Sequence, residues 1–349
     1  MNEIIYKSLK EKKYFFIAEI SANHNGSFIQ AKNLIKIAKK YNADAVKFQT
    51  YTPDTITLQS NNKDFRIESG LWRGNTLWNL YKKTQTPFEW HKKLFDYAKK
   101  LKITCFSTPF DETAVDLLET LDCPFYKVAS FEINHIPLIK KIAKTKKLII
   151  MSTGMANLNE IDLAYKTARN NGAKEIILLY CVSNYPSKVS DFNLNNIRIL
   201  KDRYKCKVGF SDHSTDNKVV AAAIAAGAVV IEKHIALERQ KKSFDGAFSL
   251  KGKKISDYLK IIKETSLMMG KEYFFRNKSE NNSKKYRRSI YAISDIKKGE
   301  KFSKKNIKVV RPGFGLEPVY FDKLLTRNSP YLIKYSDPLR KKIIKKLKL

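Results

Sequence analysis

The chain has 349 residues, of which 43% are hydrophobic, so it is long enough for one large domain and a second, small one. It contains no run of about 18 apolar residues and its start, Met1–Lys13, is polar and lysine-rich, so we expect a cytoplasmic protein that neither spans a membrane nor is secreted. The net charge of +33 comes mainly from lysines spread along the whole chain without a nucleic-acid recognition motif. We therefore expect basic, solvated surfaces that attract anionic substrates, and no nucleic-acid partner.

Eight short apolar runs alternate with segments of amphipathic helical spacing. The runs are Phe15–Ile20, Ala45–Gln49, Thr104–Thr108, Phe125–Ser130, Leu148–Thr153, Ile176–Val182, Lys207–Asp212 and Val229–His234. Strands that alternate with helices predict a parallel sheet, and eight such units in about 260 residues fit a closed (β/α)8 TIM barrel. The alternative, a doubly wound open sheet, is weakened because no GxGxxG follows the first run.

The segments between these runs carry helix and loop signals. Helical spacing is seen in Ile29–Tyr41, Glu89–Leu101, Asp111–Leu121 and Ile255–Met269. The string Thr86-Pro87-Phe88-Glu89 predicts a capping box with proline at the first helical position. The connection over residues 51–85 is unusually long and contains Trp72 and Trp78, so we expect an ordered cover over the barrel mouth.

A change in composition after Gly270 predicts a second domain. Residues 277–288 are polar and charged, Ser289–Ile293 is strand-like, and the turn-rich strings Asp295–Glu300 and Arg311–Gly315 follow. The predicted divisions are residues 1–276 for the barrel, 277–288 for a linker and 289–349 for the small domain. The four cysteines, none in a CxxC pair, predict neither disulfides nor a zinc knuckle.

Polar residues gather at the ends of the apolar runs, where a TIM barrel holds its catalytic groups. Lys47 and Lys127 lie inside apolar runs, and a buried charge is costly unless an anion pairs with it. A phosphate-bearing substrate would supply that anion; a structural ion pair is the alternative. The carboxylate of Glu19 also lies in an apolar run, where a raised pKa makes general acid–base catalysis possible. The alternative for Glu19 is a buried ion pair with Lys47.

Two of the five histidines, His213 and His234, end neighbouring runs, so their side chains are expected to converge. Two imidazoles with open positions suit a divalent metal that acts as a Lewis acid, while two hydrogen-bonded core histidines are the alternative. His24 lies in a turn and either orders the site or binds substrate, and His135 is ambiguous. His91, early in a helix, is predicted to be a surface residue.

The strings at these run ends resemble the sialic acid synthase family, and the match runs in order over nearly the whole chain. The matching strings are Ala18–Gly26, Lys47–Thr50, Ser107–Phe110, Tyr126–Ser130, Ser152–Met155, Tyr185–Pro186, Gly209–His213 and Glu232–His234. The second domain resembles the family's antifreeze-protein-like (SAF, β-clip) domain through Ile296–Glu300 and Arg311–Gly313. The resemblance implies a TIM barrel followed by a SAF domain, and an enzyme that condenses phosphoenolpyruvate with an aldehyde amino sugar.

Within the family, four strings are most similar to the pseudaminic acid synthase branch, whose sugar is 2,4-diacetamido-2,4,6-trideoxy-L-altrose. These strings are Gln49–Pro53, Thr86–His91, Ala129–Ile133 and Tyr185–Lys188. N-acetylneuraminate or legionaminate synthesis by the same chemistry is the alternative. Two further alternatives are weaker. A related barrel enzyme that condenses phosphoenolpyruvate with a sugar phosphate would lack the small domain. A non-catalytic sugar-binding module would not need the full set of lysine, carboxylate and histidine positions.

The resemblance also implies roles for individual residues. His213 and His234 match metal ligands, most often for Mn²⁺, with Co²⁺ or Mg²⁺ as alternatives. The implied catalytic residues are Glu19, Lys47, Lys127 and Glu132, and the implied substrate-binding residues are Asn23, Gln49, Thr108, Ser130, Ser152, Ser183, Asn184, Tyr185, Ser211, Asp245 and Arg311. Whether Ser183 or Asn184 contacts phosphoenolpyruvate stays open. Arg311 is implied to enter the partner's site in a domain-swapped homodimer, and the lysine-rich end, Tyr331–Leu349, departs from the family pattern.

Overall fold

A computed structural model describes residues 3–240, 242–271 and 273–349. The chain divides into two compact units, Met1–Gly270 and Lys271–Leu349. The segment predicted as a linker, residues 277–288, belongs to the second of these units. Among the described residues, none of the helices combines the length and the apolar character that crossing a membrane requires.

The first unit is built around a closed barrel of parallel strands. The strands are β1 Phe15–Glu19, β2 Ala45–Thr50, β3 Thr104–Pro109, β4 Phe125–Val128, β5 Leu148–Ser152, β6 Ile176–Cys181, β7 Lys207–Asp212 and β8 Val230–Ala236, with a short β9, Leu250–Lys251, beside β8. Each strand pairs with the next, and β8 returns to pair with β1, so that Ile17 lies beside Glu232. The predicted TIM barrel is confirmed and the open sheet is wrong. Gly209 permits the close approach of β7 to β8, since a Cβ atom there would lie 2.1 Å from the carbonyl oxygen of Val230.

Helices surround this barrel. They are α1 Glu3–Lys12, α2 Phe28–Lys40, α3 Pro53–Ile56, α4 Leu77–Thr84, α5 Phe88–Lys100, α6 Glu112–Thr120, α7 Ile136–Lys144, α8 Leu158–Asn170, α9 Asn195–Tyr204, α10 Lys218–Ala225 and α11 Lys253–Met268. Each long helix buries an apolar stripe: α7, for example, buries Leu138, Ile139 and Ile142. The strands are covered on both faces, which explains their nearly continuous apolar sequences, such as the six buried residues of β6.

The start of α5 differs from the prediction. The helix begins at Phe88 with Pro87 in the N-cap position, and no side chain among the described residues caps it. Thr86 instead places its hydroxyl 3.2 Å from Nε2 of His24. The predicted capping box is therefore wrong, because a contact between two βα loops replaces the local one. Helix α6, in contrast, has a side-chain N-cap: Asp111 accepts the backbone N–H groups of Thr113 and Ala114.

The long connection between β2 and α5 is folded. It contains α3 and α4, and the hydroxyl groups of Tyr51 and Thr84 lie 2.8 Å apart at its two ends. Trp72 donates its indole N–H to the carbonyl oxygen of Phe244 at 3.3 Å. The connection is thus attached both to its own base and to the loop that follows β8.

The second unit has its own apolar core. Strands β10, Ser289–Ala292, and β11, Ile307–Val310, pair antiparallel, and α12, Phe321–Leu324, and α13, Lys341–Leu347, complete the unit. The core contains Ile290, Ile296 and Phe302, and Ile343 anchors the lysine-rich terminal helix to it. Residues Lys278–Tyr286 form 3-10 turns, and the backbone carbonyl oxygen of Lys285 accepts the backbone N–H of Gly313.

All four cysteines lie in the barrel unit with free thiols. Cys105, Cys123 and Cys181 are buried and Cys206 is half-buried. Burial raises the pKa of the Cys123 thiol to about 12 and that of the Cys206 thiol to about 11. Such thiols carry little thiolate at neutral pH.

Candidate active site

A cavity of about 500 Å³ opens at the C-terminal ends of the barrel strands. Most of the residues proposed from the sequence line it together. They are Glu19, Lys47, Gln49, Thr108, Lys127, Ser130, Glu132, Ser152, Tyr185, Ser211, His213, His234 and Asp245. Residues far apart in the chain meet here because parallel strands of a barrel all end at the same face.

The floor of the cavity contains a buried ion pair. The Lys47 ammonium lies 2.6 Å from Oε2 of Glu19 and also donates to the Thr108 hydroxyl at 2.9 Å. The structural alternative for Glu19, an ion pair with Lys47, is therefore present. Burial nevertheless raises the pKa of Glu19, against the opposing charge of Lys47. Burial opposes the charge of Lys47 as well, but the carboxylates of Glu19 and Glu232 raise its pKa.

Glu232 lies between the two lysines of the floor. Its two carboxylate oxygens are 3.9 Å from the Lys47 ammonium and 3.8 Å from that of Lys127, and Ser211 donates to it at 3.0 Å. Although burial opposes its ionisation, the two lysines lower the pKa of Glu232 to about 2. Sequence reasoning noted Glu232 at a strand end but gave it no role. The signal was its spacing of two from His234, which places both on one face of β8.

Two polar groups of the floor have neither a hydrogen-bond partner nor an ion-pair partner among the described residues. Among the described residues, no hydrogen-bond partner reaches Oε2 of Glu132 or the hydroxyl of Ser152. Burial raises the pKa of Glu132 to about 7, although the nearby Lys127 acts to lower it. Buried polar atoms are rarely left unpaired in folded proteins, so these two atoms are suited to meet a polar ligand.

The two histidines converge as predicted. The rings of His213 and His234 have centroids 5.5 Å apart, and Nδ1 of His213 lies 2.9 Å from the carbonyl oxygen of Val182. Burial lowers the pKa of His213 to about 3, so this imidazole is neutral. Since only Nδ1–H can donate to the carbonyl, Nε2 keeps its lone pair for a ligand. Nδ1 of His234 lies 3.5 Å from Oδ2 of Asp245.

No group of three or more histidine, cysteine, aspartate or glutamate side chains in residues 3–240, 242–271 and 273–349 is arranged to hold a metal ion. The convergence of His213 and His234 is thus a pair, with Asp245 beside one member.

The outer wall of the cavity is apolar and aromatic. Its residues are Ile56, Ile67, Trp72, Leu77, Leu80 and Tyr81 from the long connection, with Phe110, Phe131, Tyr185 and Phe248 from other loops. Trp72 and Tyr185 have ring centroids 5.8 Å apart, and Tyr185 in turn lies 4.5 Å from the ring of His213. Aromatic side chains therefore extend from the long connection to the histidine pair.

The remaining proposed residues lie elsewhere. The side chain of Asn23 is fully buried and forms hydrogen bonds within the protein, donating to the carbonyl of Ile235 and accepting the backbone N–H of Asp245. It therefore holds the loop that carries Asp245. Ser183 and Asn184 line a neighbouring cavity of about 730 Å³, and Arg311 is an exposed residue of the second unit.

Comparison with known proteins agrees with this geometry. The NeuB family matches residues 34–273, and the SAF domain matches residues 287–342. The chain belongs to the NeuB family. The range matched by the NeuB family contains every histidine, lysine and carboxylate of the cavity described above except Glu19.

Individual relatives resemble the chain over most of its length. It is 41% identical to a pseudaminic acid synthase of Campylobacter jejuni over 330 residues, which cover 95% of this chain and 96% of that one. It is 38% identical to an N,N'-diacetyllegionaminic acid synthase of the same organism, with coverages of 90% and 95%. The crystal structure of an N-acetylneuraminic acid synthetase from Leptospira borgpetersenii superposes with a TM-score of 0.70 at 29% identity, and the match covers 77% of this chain and 90% of that one.

Two histidines outside the cavity wall support this NeuB-family site. His91 is fully buried, so the surface prediction is wrong; its Nε2 lies 2.8 Å from the Thr50 hydroxyl at the end of β2, and burial lowers its pKa to about 4. The missed signal was its spacing with Leu94 and Ala98 on the apolar face of α5. His24 is also buried and accepts the backbone N–H of Gly26, so it orders the loop after β1.

Proposed function

We propose that this enzyme is a pseudaminic acid synthase. It condenses phosphoenolpyruvate with 2,4-diacetamido-2,4,6-trideoxy-L-altrose and water, and releases pseudaminic acid and phosphate. The observation that carries the proposal is the 41% identity to a pseudaminic acid synthase over nearly the whole of both chains, against 38% for the legionaminic acid synthase of the same organism. The reaction forms a carbon–carbon bond, which makes the enzyme a transferase.

The two buried lysines fit phosphoenolpyruvate. Lys47 and Lys127 present two ammonium groups at the cavity floor, and Glu232 between them fixes their positions. The hydroxyl groups of Thr108, Ser152, Ser211 and Ser130 surround the same floor. An anion with a phosphate and a carboxylate would neutralise the lysines and use these donors. Charge that is arranged before the substrate arrives is usually the largest contribution to catalysis.

In the proposed reaction, C3 of phosphoenolpyruvate attacks the aldehyde carbon of the sugar. Positive charge develops at C2, water adds there, and the resulting tetrahedral intermediate loses phosphate by cleavage of its C–O bond. Glu19 is placed to move a proton, because it lies at the floor beside Lys47 and burial raises its pKa. Lys47 and Lys127 hold the phosphate and carboxylate throughout.

We further propose that His213 and His234 bind a divalent cation, Mn²⁺ first and Co²⁺ or Mg²⁺ as alternatives. The residues fit such an ion, because His213 is a neutral imidazole whose Nδ1 contacts Val182 and leaves Nε2 as a ligand atom. When bound, the ion supplies a Lewis acid that polarises the aldehyde oxygen of the sugar. Asp245 beside His234 restricts the orientation of that ring.

The outer wall suits the proposed sugar. A 6-deoxy sugar with two acetamido groups presents three methyl groups, and the wall offers Trp72, Phe131 and Phe248 as apolar contacts. Gln49 and Glu132 provide polar atoms for the amide and hydroxyl groups. N-acetylmannosamine carries a hydroxyl where the deoxy sugar has none, so burying it against this wall would cost binding energy.

We propose a homodimer in which Arg311 of each chain enters the site of the partner subunit. The support is the matched SAF domain and the family resemblance of Arg311–Gly313. Arg311 is exposed on the second unit, as a residue that contacts another chain or a substrate would be. A cytoplasmic location stays a prediction.

A phosphate-release assay with phosphoenolpyruvate and a panel of aldoses tests the function. We expect release with the diacetamido altrose and little with N-acetylmannosamine or with the legionaminate precursor sugar. A higher kcat/KM for either of those two sugars would assign the enzyme to another branch of the NeuB family. No phosphate release with any aldose, at saturating Mn²⁺, would contradict the condensation reaction itself.

A further inference from the structure

The residues before the two histidines form a pair of their own. Strands β7 and β8 end in register, with Ser211 beside Glu232 and Asp212 beside Lys233. Side chains alternate along a strand, so Ser211 and Glu232 face the cavity while Asp212 and Lys233 face the helices outside the barrel. Asp212 and Lys233, the outward pair, therefore each come one residue before a histidine that lines the cavity, His213 and His234.

This outward pair is a buried ion pair. The ammonium of Lys233 lies 3.2 Å from Oδ2 of Asp212, and the two residues are 2% and 1% exposed. Tyr258 of α11 donates its hydroxyl to the same oxygen at 2.7 Å, and its ring centroid lies 5.8 Å from the ammonium. Both charges are therefore enclosed between the barrel and α11.

The same pair holds the turn that contains His213. Ser214 donates its backbone N–H to Oδ1 of Asp212 at 2.8 Å, and Lys233 donates its ammonium to the carbonyl oxygen of Ser214. His213 lies between Asp212 and Ser214, so its backbone is fixed on both sides. Lys233 immediately precedes His234, so one ion pair links the backbones of both histidines.

Burying an ion pair costs more free energy than burying two apolar side chains, because each ion loses its hydration. Two apolar side chains, however, could not form hydrogen bonds with the peptide groups of Ser214. Groups that fix the orientation of a metal-binding imidazole strengthen metal binding. We propose that Asp212, Lys233 and Tyr258 are positioning residues that set the spacing of His213 and His234 and so raise the affinity for the divalent cation. This inference rests on the metal site proposed above.

Metal affinity of the full-length protein tests the inference. Metal-stripped wild type, Lys233→Met and Tyr258→Phe are titrated with Mn²⁺, and free Mn²⁺ is measured by electron paramagnetic resonance. We expect the Mn²⁺ Kd to rise about 10-fold in Lys233→Met, and by less in Tyr258→Phe, because direct partners of a metal-binding imidazole are worth about 10–100-fold and these residues act one step further away, through the backbone. The Mn²⁺ concentration that gives half-maximal turnover should rise in parallel.

Tyr126→Phe is the matched control. Tyr126 on β4 is also fully buried and donates its hydroxyl to a helix carboxylate, Oε1 of Glu119, at 2.5 Å. Its replacement removes the same kind of strand-to-helix bond away from the histidines. Tyr126→Phe should lower the free energy of unfolding as Tyr258→Phe does, and should leave the Mn²⁺ Kd unchanged.

The possible failures are distinguishable. Wild-type Mn²⁺ affinity in both Lys233→Met and Tyr258→Phe would overturn the positioning role and leave the proposed metal site standing. A wild-type protein that binds no Mn²⁺ and keeps full turnover after metal stripping would overturn the metal site, and this inference with it. If Lys233→Met does not fold, Tyr258→Phe decides the question, because it removes a single hydroxyl and keeps the ring.

Discussion

The floor and the outer wall of the barrel cavity differ in the residues and the structural elements that form them. The floor consists of strand ends whose charged side chains, such as Glu19, Lys47 and Lys127, are almost fully buried. The wall consists largely of loop residues that are apolar and partly exposed, and Phe131 there is 59% exposed. The floor is held by the hydrogen bonds of the barrel itself, whereas the wall depends on contacts between loops.

This difference separates two tasks. Charges that stabilise a reaction must be fixed in position before the substrate arrives, and paired barrel strands can hold them. Choice between similar sugars requires contacts that differ from one relative to another, and loops can change without altering the barrel. Replacements at the floor should therefore act on turnover, and replacements at the wall on the sugar alone.

The largest effect is expected at the floor, from His213→Ala and His234→Ala. Each should lower kcat by about 10³-fold or more, because loss of the proposed Lewis acid would remove several kcal/mol of transition-state stabilisation. Chelation of the wild type should do the same, and added Mn²⁺ should restore it. Circular dichroism checks that both variants fold; full turnover in a metal-stripped wild type would contradict the metal role.

Arg311→Ala should come next, in the homodimer proposed above. Loss of a charged hydrogen bond of about 1.5–3 kcal/mol should raise KM for the sugar by about 10–100-fold, with little change in KM for phosphoenolpyruvate. Subunit exchange with His213→Ala checks the sharing of sites. If sites are shared, each mixed dimer has one intact site and activity returns; if each SAF domain serves its own barrel, the mixture stays defective.

A smaller effect is expected for Trp72→Ala. Removing one aromatic contact of about 1 kcal/mol should raise KM for the deoxy sugar by about 5-fold. Trp72→Phe, which keeps a ring but loses the bond to Phe244, should lie between this variant and the wild type. Steady-state kinetics with each substrate varied in turn measures this. An equal rise in KM for phosphoenolpyruvate would show that the wall does not act on the sugar alone.

The last effect, expected at Glu132 where floor and wall meet, is on the stability of the fold rather than on kinetics. Burial raises its pKa from 4.5 to about 7, so the folded protein binds a proton in this range that the unfolded chain has released. The stabilisation from this proton is complete below about pH 4.5 and is lost as the pH rises through about 7. Urea unfolding of wild type and Glu132→Gln across this range should show that difference; parallel curves would contradict the raised pKa.

The sequence predicted the floor better than the wall. The apolar runs located all eight strands, and the polar residue at each run end located the cavity, because both follow from the alternation of side chains along barrel strands. Glu132 and Trp72 lie outside strands. The resemblance to known strings, rather than periodicity, implied a role for Glu132, and the aromatic content of a long loop suggested that Trp72 covers the mouth.

The errors arose where a tertiary contact replaced a local one. Thr86 contacts His24 instead of capping α5, and His91 is buried although it lies early in a helix. The amide of Asn23 forms hydrogen bonds within the protein that hold the loop of Asp245, and its role in substrate binding stays a prediction. The contact partners of Thr86 and His91 lie far away in sequence and are not visible in any local pattern, although the spacing of His91 with Leu94 and Ala98 already indicated that it is buried.

The distribution of cysteines makes thiol labelling a probe of the barrel unit. All four thiols lie in the first unit, three of them buried, and burial raises the pKa of Cys105 and Cys123 far above neutral. A thiol reagent can label such groups only when the surrounding structure opens. The rate at which the three buried thiols are labelled under native conditions therefore measures the opening of the barrel unit, and the SAF domain, which has no cysteine, contributes no label of its own.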